Sequence, residues 1–251
     1  DAVPWNNKGR ALRMQGNYTE AIQAFDEAIR IDPELSVAWY NKGTVLADQG
    51  KYDEAIQALD KAIMLDPGDA DVWVSKGNAL AMQGKHDEAI HAYDEAIRLD
   101  PELAGAWYDR GRSLFLLGNL TETIHVMNET IRLDPKFRDA WIIKGLALAE
   151  QGNYDEAILA YDEAISIDPE NAMAWYNKGN ALGMQGEYDE AIRAYDEAIR
   201  LDPEDADVWV SKGNALRMQG KYDEAIRAYD EAIRLDPEYA DAWYNKGNAL
   251  G

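Results

Sequence analysis

The chain has 251 residues, and 47 acidic against 25 basic side chains leave it a formal net charge of −22 at pH 7. That sign repels phosphate backbones and anionic lipid surfaces, so neither nucleic acid nor membrane is expected as a partner. No apolar run approaches the roughly 20 residues of a membrane span, and with no cysteine there is no disulfide framework, thiolate metal site or thiol nucleophile.

The eight tryptophans stand at 5, 39, 73, 107, 141, 175, 209 and 243, a constant step of 34 residues. A fixed period of this size marks a repeat array rather than one globular core. Starting each repeat three residues before its tryptophan gives units at 2–35, 36–69, 70–103, 104–137, 138–171, 172–205 and 206–239, with a partial eighth at 240–251 that reaches only its first helix. Asp1 at one end and a repeat interrupted at Gly251 are what a piece of a longer chain would show.

In chain order, each unit begins with helix A around the tryptophan, with a glycine at the eighth position: Gly9, Gly43, Gly77, Gly111, Gly145, Gly179, Gly213 and Gly247. A second glycine at the fifteenth position, from Gly16 to Gly220, predicts the turn out of helix A. Helix B starts near the Tyr-Asp-Glu-Ala segment and stops at Asp-Pro, the prolines being Pro33, Pro67, Pro101, Pro135, Pro169, Pro203 and Pro237. Proline lacks the amide hydrogen and forces its predecessor out of the helical region. On helix B, Asp26 and Arg30, and likewise Asp196 and Arg200, stand four apart with the acid first, a spacing that predicts ion pairs along the helix. Alanines such as Ala55 and Ala62 allow close helix approach, and one hairpin alone cannot bury that face, so neighbours must stack.

In its spacing of Trp175, Gly179, Ala191, Tyr195, Ala198 and Pro203 in the sixth unit, repeated in register along the others, the chain resembles the tetratricopeptide repeat family over essentially its whole length. The resemblance implies an all-α solenoid of helix-turn-helix repeats forming a right-handed superhelix, with helix A lining the concave side. Two departures recur. The seventh position, usually leucine, is basic in every unit (Lys8, Lys42, Lys76, Arg110, Lys144, Lys178, Lys212, Lys246), read as side chains snorkelling at the core edge, and the eleventh, usually tyrosine, is leucine, as in Leu46 and Leu80.

At about 100° per residue, the second, fifth, sixth, ninth, twelfth and thirteenth positions fall on the stripe of helix A opposite the tryptophan, glycine and leucine face. This stripe is the expected concave binding surface. It holds seven acids and four bases, a net of −3, so most of the acidity lies elsewhere. Asparagine supplies both a donor and an acceptor there, at Asn41 and Asn177 in the sixth position and Asn78, Asn180 and Asn214 in the ninth, and methionines at 14, 82, 184 and 218 adapt to varied side chains. The fifth position alternates as Tyr40, Val74, Tyr108, Ile142, Tyr176 and Val210, a pairing of repeats that recent duplication explains as well as a periodic site does. Repeats four and five break the pattern: Tyr108, Arg112, Phe115, Leu116, Ile142, Ile143 and Leu146 predict an apolar interaction patch on the exposed stripe, with altered local stacking as the alternative. A clamp for acidic tails is not expected, because the fifth position is never basic.

No catalytic constellation, phosphate loop, cofactor motif or metal-ligand spacing appears; none of the histidines at 86, 91 and 125 lies in a catalytic or zinc spacing, and His91 and His125 are read as an outer-face coincidence rather than a metal pair. The expectation is a non-catalytic, cytoplasmic scaffold without cofactor or metal that binds a peptide or helix of a partner protein. The alternatives are a self-associating array stacked through its ends and a regulatory segment of a larger protein.

Overall fold

The computed structural model describes residues 1–250, and among them every regular element is an α-helix. The chain divides into two compact units, Asp1–Leu133 and Asp134–Gly251. The first contains α1 (Val3–Met14), α2 (Tyr18–Ile31), α3 (Ser36–Asp48), α4 (Tyr52–Leu65), α5 (Ala70–Met82), α6 (His86–Leu99), α7 (Ala104–Leu116) and α8 (Leu120–Leu133). The second contains α9 (Arg138–Glu150), α10 (Tyr154–Ile167), α11 (Ala172–Gln185), α12 (Tyr188–Leu201), α13 (Ala206–Met218), α14 (Tyr222–Leu235) and α15 (Ala240–Leu250). Within each unit successive helices pair as antiparallel hairpins, and successive hairpins stack, as an all-α solenoid requires.

The local devices follow from the sequence. Helix A ends in a left-handed glycine; at Gly16 φ is 76°, and the next amide, of Asn17, reaches back to the Leu12 carbonyl at 2.9 Å. Only glycine takes that backbone without steric cost. Helix B ends where aspartate is extended ahead of proline, Asp32 at φ −138° and ψ 92°, its carboxylate accepting from the Glu34 amide at 3.1 Å.

The core of each hairpin is an alanine-lined interlock. In the sixth repeat Ala174, Ala181, Ala191, Ala194 and Ala198 are buried, and the Tyr195 ring lies against Gly179, where a Cβ would meet it at 2.6 Å. Phe25, Leu59, Tyr93, Met127, Tyr161 and Tyr229 fill the same place against Gly9, Gly43, Gly77, Gly111, Gly145 and Gly213. The helices approach closely because the glycine has no side chain, and the large helix-B group takes up the volume.

The basic seventh position does more than snorkel. Lys178 Nζ pairs with Asp162 of the preceding helix B at 2.5 Å while lying 5.5 Å from the Trp175 ring centroid. Trp175 Nε1 in turn donates to the Pro169 carbonyl at 3.1 Å. The same clip recurs at Lys42, Lys76, Lys212 and Lys246, and Arg110 pairs with both Asp94 and Glu122. This corrects the expected pairing along helix B. Asp26 and Asp196 pair with Lys42 and Lys212 of the next repeat, and Arg30 and Arg200 turn instead to Glu27 and Glu197, three residues back. An aspartate at this place reaches a neighbour that also stacks on an indole, a geometry the flexible surface arginine does not offer.

Candidate functional site

The stripe of helix A opposite the core is less exposed than the helical wheel predicts. Ile142 is 5% exposed and packs with Ala164, Ile165 and Ala174; Val210 is 6% exposed and packs with Leu216, Ala225 and Tyr229. Asn41 is 7% exposed, its amide donating to Asn6 Oδ1 at 2.9 Å. The expected exposure of these three is therefore corrected: they are buried and pack between helices. Neighbouring helices cover these three side chains, which a wheel drawn for one helix cannot register. Tyr40, Val74, Tyr108, Tyr176 and Asn177, together with Phe115, Ile143 and Leu146, are half-buried.

In the first unit the exposed large groups of this face are Val3, Met14, Val37, Met82 and Leu116, with Arg112 and Asn78 also open to solvent. The buried threonines of repeat four, Thr123 and Thr130, return their hydroxyls to the carbonyls of Asn119 and Val126, which explains how they replace alanine without leaving an unpaired group. Burial pushes the Asp109 carboxyl above its ordinary range, and the Arg112 guanidinium pulls it back in part. A carboxyl with a raised folded pKa favours folding most below its ordinary value of 3.8, and that contribution is lost as pH rises through the raised value. Asp109→Asn is therefore expected to raise the unfolding temperature at neutral pH. The advantage should close as the pH approaches 4 in thermal scans of the two proteins at matched ionic strength.

In the second unit α11, α12 and α13 enclose a groove of ≈ 310 Å³ lined by Asn180, Gly183, Met184, Tyr188, Tyr195, Ser211, Asn214, Ala215 and Met218. Met184 and Met218 are 67% and 55% exposed, so its walls are mobile thioethers rather than core. Asn180 and Asn214 each accept a tyrosine hydroxyl at 2.9 Å, from Tyr195 and Tyr229. The rings of Tyr176 and Tyr195 stand 6.2 Å apart at 46° and stiffen the floor. Of the sequence candidates, this groove brings together Asn180 and Asn214; Tyr188 and Tyr195 come from helix B, which the helix-A stripe does not include. The recurrence of tyrosine one helix away from the ninth-position asparagines was the available signal.

A second kind of hollow, ≈ 640 Å³, lies over Trp175, Lys178 and Leu182, with equivalents of ≈ 500 Å³ over Trp209 and ≈ 280 Å³ over Trp39. Lysine in place of leucine at the seventh position leans onto the indole and leaves this space open. Its rim mixes charges of both signs, Glu190 being paired with Arg193. No group of three or more His, Asp or Glu that could hold a metal ion occurs among the described residues, and no helix there is long and apolar enough to cross a membrane.

A family model described as tetratricopeptide repeat matches residues 40–104, 74–135, 168–206, 176–238 and 210–250. Others, described as TPR repeat and tetratricopeptide repeat, match 145–186 and 2–35. No curated protein sequence matches the chain. Among solved structures, YrrB, described as a TPR protein with an unusual peptide-binding site, is 23% identical with a TM-score of 0.66, the alignment covering 76% of this chain and 99% of YrrB. MamA is 27% identical with a TM-score of 0.63, covering 65% and 96% of the two chains. The C-terminal part of a TPR repeat-containing protein from Cytophaga hutchinsonii is 17% identical with a TM-score of 0.80, covering 95% and 98%.

Proposed function

Because the chain belongs to the tetratricopeptide repeat family, a repeat that serves as a protein-interaction scaffold, we propose that it is a non-catalytic array holding a peptide of a partner protein on the concave, A-helix face. The observation that carries this reading is the groove of α11 to α13, where exposed methionine walls flank oriented asparagines and no charged side chain lines the site. Apolar walls with a few fixed polar groups are what a peptide site needs. The peptide-binding site named for YrrB supports the same use of the fold.

The groove replaces the patch of repeats four and five as the anchor, since Ile142 is core. Peptides selected from a random library on the purified array are expected to lose at least about tenfold in affinity, ~1.4 kcal/mol, for the Met184→Asp, Met218→Asp variant, with helix content unchanged by circular dichroism. Retained affinity would move the site elsewhere.

A further inference from the structure

Three asparagines of the A-helix face are gripped in one way. Tyr93 Oη donates to Asn78 Oδ1 at 2.7 Å, Tyr195 Oη to Asn180 Oδ1 at 2.9 Å, and Tyr229 Oη to Asn214 Oδ1 at 2.9 Å. Each tyrosine ring is locked in the core against a glycine of helix A, so the hydroxyl has a fixed place. An amide whose oxygen is engaged in this way has its two N–H donors left to offer. At Tyr229 the direction of the proton follows from chemistry. An amide oxygen has no proton to give, so the phenol's own proton goes to Asn214.

The sequence carries the coupling independently. Asparagine occupies the ninth position in the repeats whose helix-B core group is Tyr93, Tyr195 or Tyr229. Where that group is Phe25, Leu59 or Met127, with no hydroxyl, the ninth position is Arg10, Thr44 or Arg112. Packing against the glycine is thus met by several large side chains, and the hydroxyl is an addition that goes with the amide. Tyr161, facing Leu146, is a hydroxyl without an amide to orient, which supplies a matched control.

We infer that Tyr195 and Tyr229 are positioning residues that hold Asn180 and Asn214 with their NH₂ groups toward the groove, so that its wall acts as a pair of donors selecting the main-chain carbonyls of an extended peptide; Tyr93 grips Asn78 in the same way within the first unit. This deepens the concave-face reading and rests on it. Carboxylate ligands are disfavoured because the groove lining holds no cation and the chain carries a net charge of −22. Met184 and Met218 cover the side chains of the peptide while the amides hold its backbone.

The test uses the whole array and peptides enriched on it from a random dodecapeptide library. Tyr195→Phe with Tyr229→Phe keeps the core shape, as Phe25 already does in the first repeat, but frees both amides to rotate. Affinity is expected to fall about tenfold, with the Asn180 and Asn214 side-chain amide signals collapsing toward free values in NMR spectra and the unfolding midpoint retained. Tyr161→Phe should leave affinity unchanged. Peptides that bind the double phenylalanine variant as well as the parent overturn this inference alone, and so do enriched peptides that are uniformly acidic with binding that collapses in salt. A library that enriches nothing overturns the concave-face reading and this inference with it.

Discussion

Gly213→Ala is expected to destabilise the second unit by about 1–3 kcal/mol, although alanine is the better helix former by about 0.8–1 kcal/mol. The added Cβ would lie 2.5 Å from Cε1 of Tyr229, whose ring is fully buried between helices and has no free volume to enter. Gly247→Ala in α15 is the opposite case: the same repeat position, but nothing lies within 4 Å of the new methyl. There the helix-forming preference acts unopposed, and the substitution is expected to be neutral or stabilising by up to about 1 kcal/mol. Urea titrations followed by circular dichroism compare the two directly. If both variants shift the midpoint upward, the glycine and aromatic interlock is not what sets the helix spacing. Because repeat arrays unfold as coupled neighbours rather than strictly as two states, the comparison is of midpoints within one unit.

Ile142→Asp is expected to be still more damaging. Removing a buried isoleucine side chain costs about 2–5 kcal/mol, and the aspartate adds the penalty of an unpaired charge among Ala164, Ile165 and Ala174. The carboxyl would escape part of that penalty by staying protonated, so the loss should be smaller in acid and grow as pH rises through the ordinary aspartate range. Met184→Asp, on the same helix-A stripe in the wheel sense but 67% exposed, should change the midpoint little. Thermal unfolding at two pH values separates these outcomes. An Ile142→Asp protein as stable as the parent would return Ile142 to the solvent face that the sequence pattern assigns it.

Much of this protein can be read without coordinates. The 34-residue step of the tryptophans, the glycine at which helix A turns and the Asp-Pro at which helix B stops are local signals, each acting within a few bonds of the residue that carries it. They place fifteen helices in order, and they require that hairpins stack, since the alanine face of a single hairpin such as Ala191, Ala194 and Ala198 has nothing of its own to bury against.

Tertiary structure decided the rest, wherever two outcomes share the same local spacing. Asp196 stands four residues from Arg200 and sixteen from Lys212; the choice of Lys212 depends on an indole supplied by another helix. Ile142 and Val210 on one side, and Met184 and Met218 on the other, are all opposite the tryptophan on a helical wheel, yet the first pair is core and the second is surface. A wheel describes one cylinder. Which part of its outer face is covered depends on where the next hairpin lies against it, and that placement is determined by the contact of glycine with a large side chain on another helix. The asparagines make the same point at atomic scale: their positions are plain in the sequence, but the direction of each amide is set by a tyrosine fifteen residues away on the neighbouring helix.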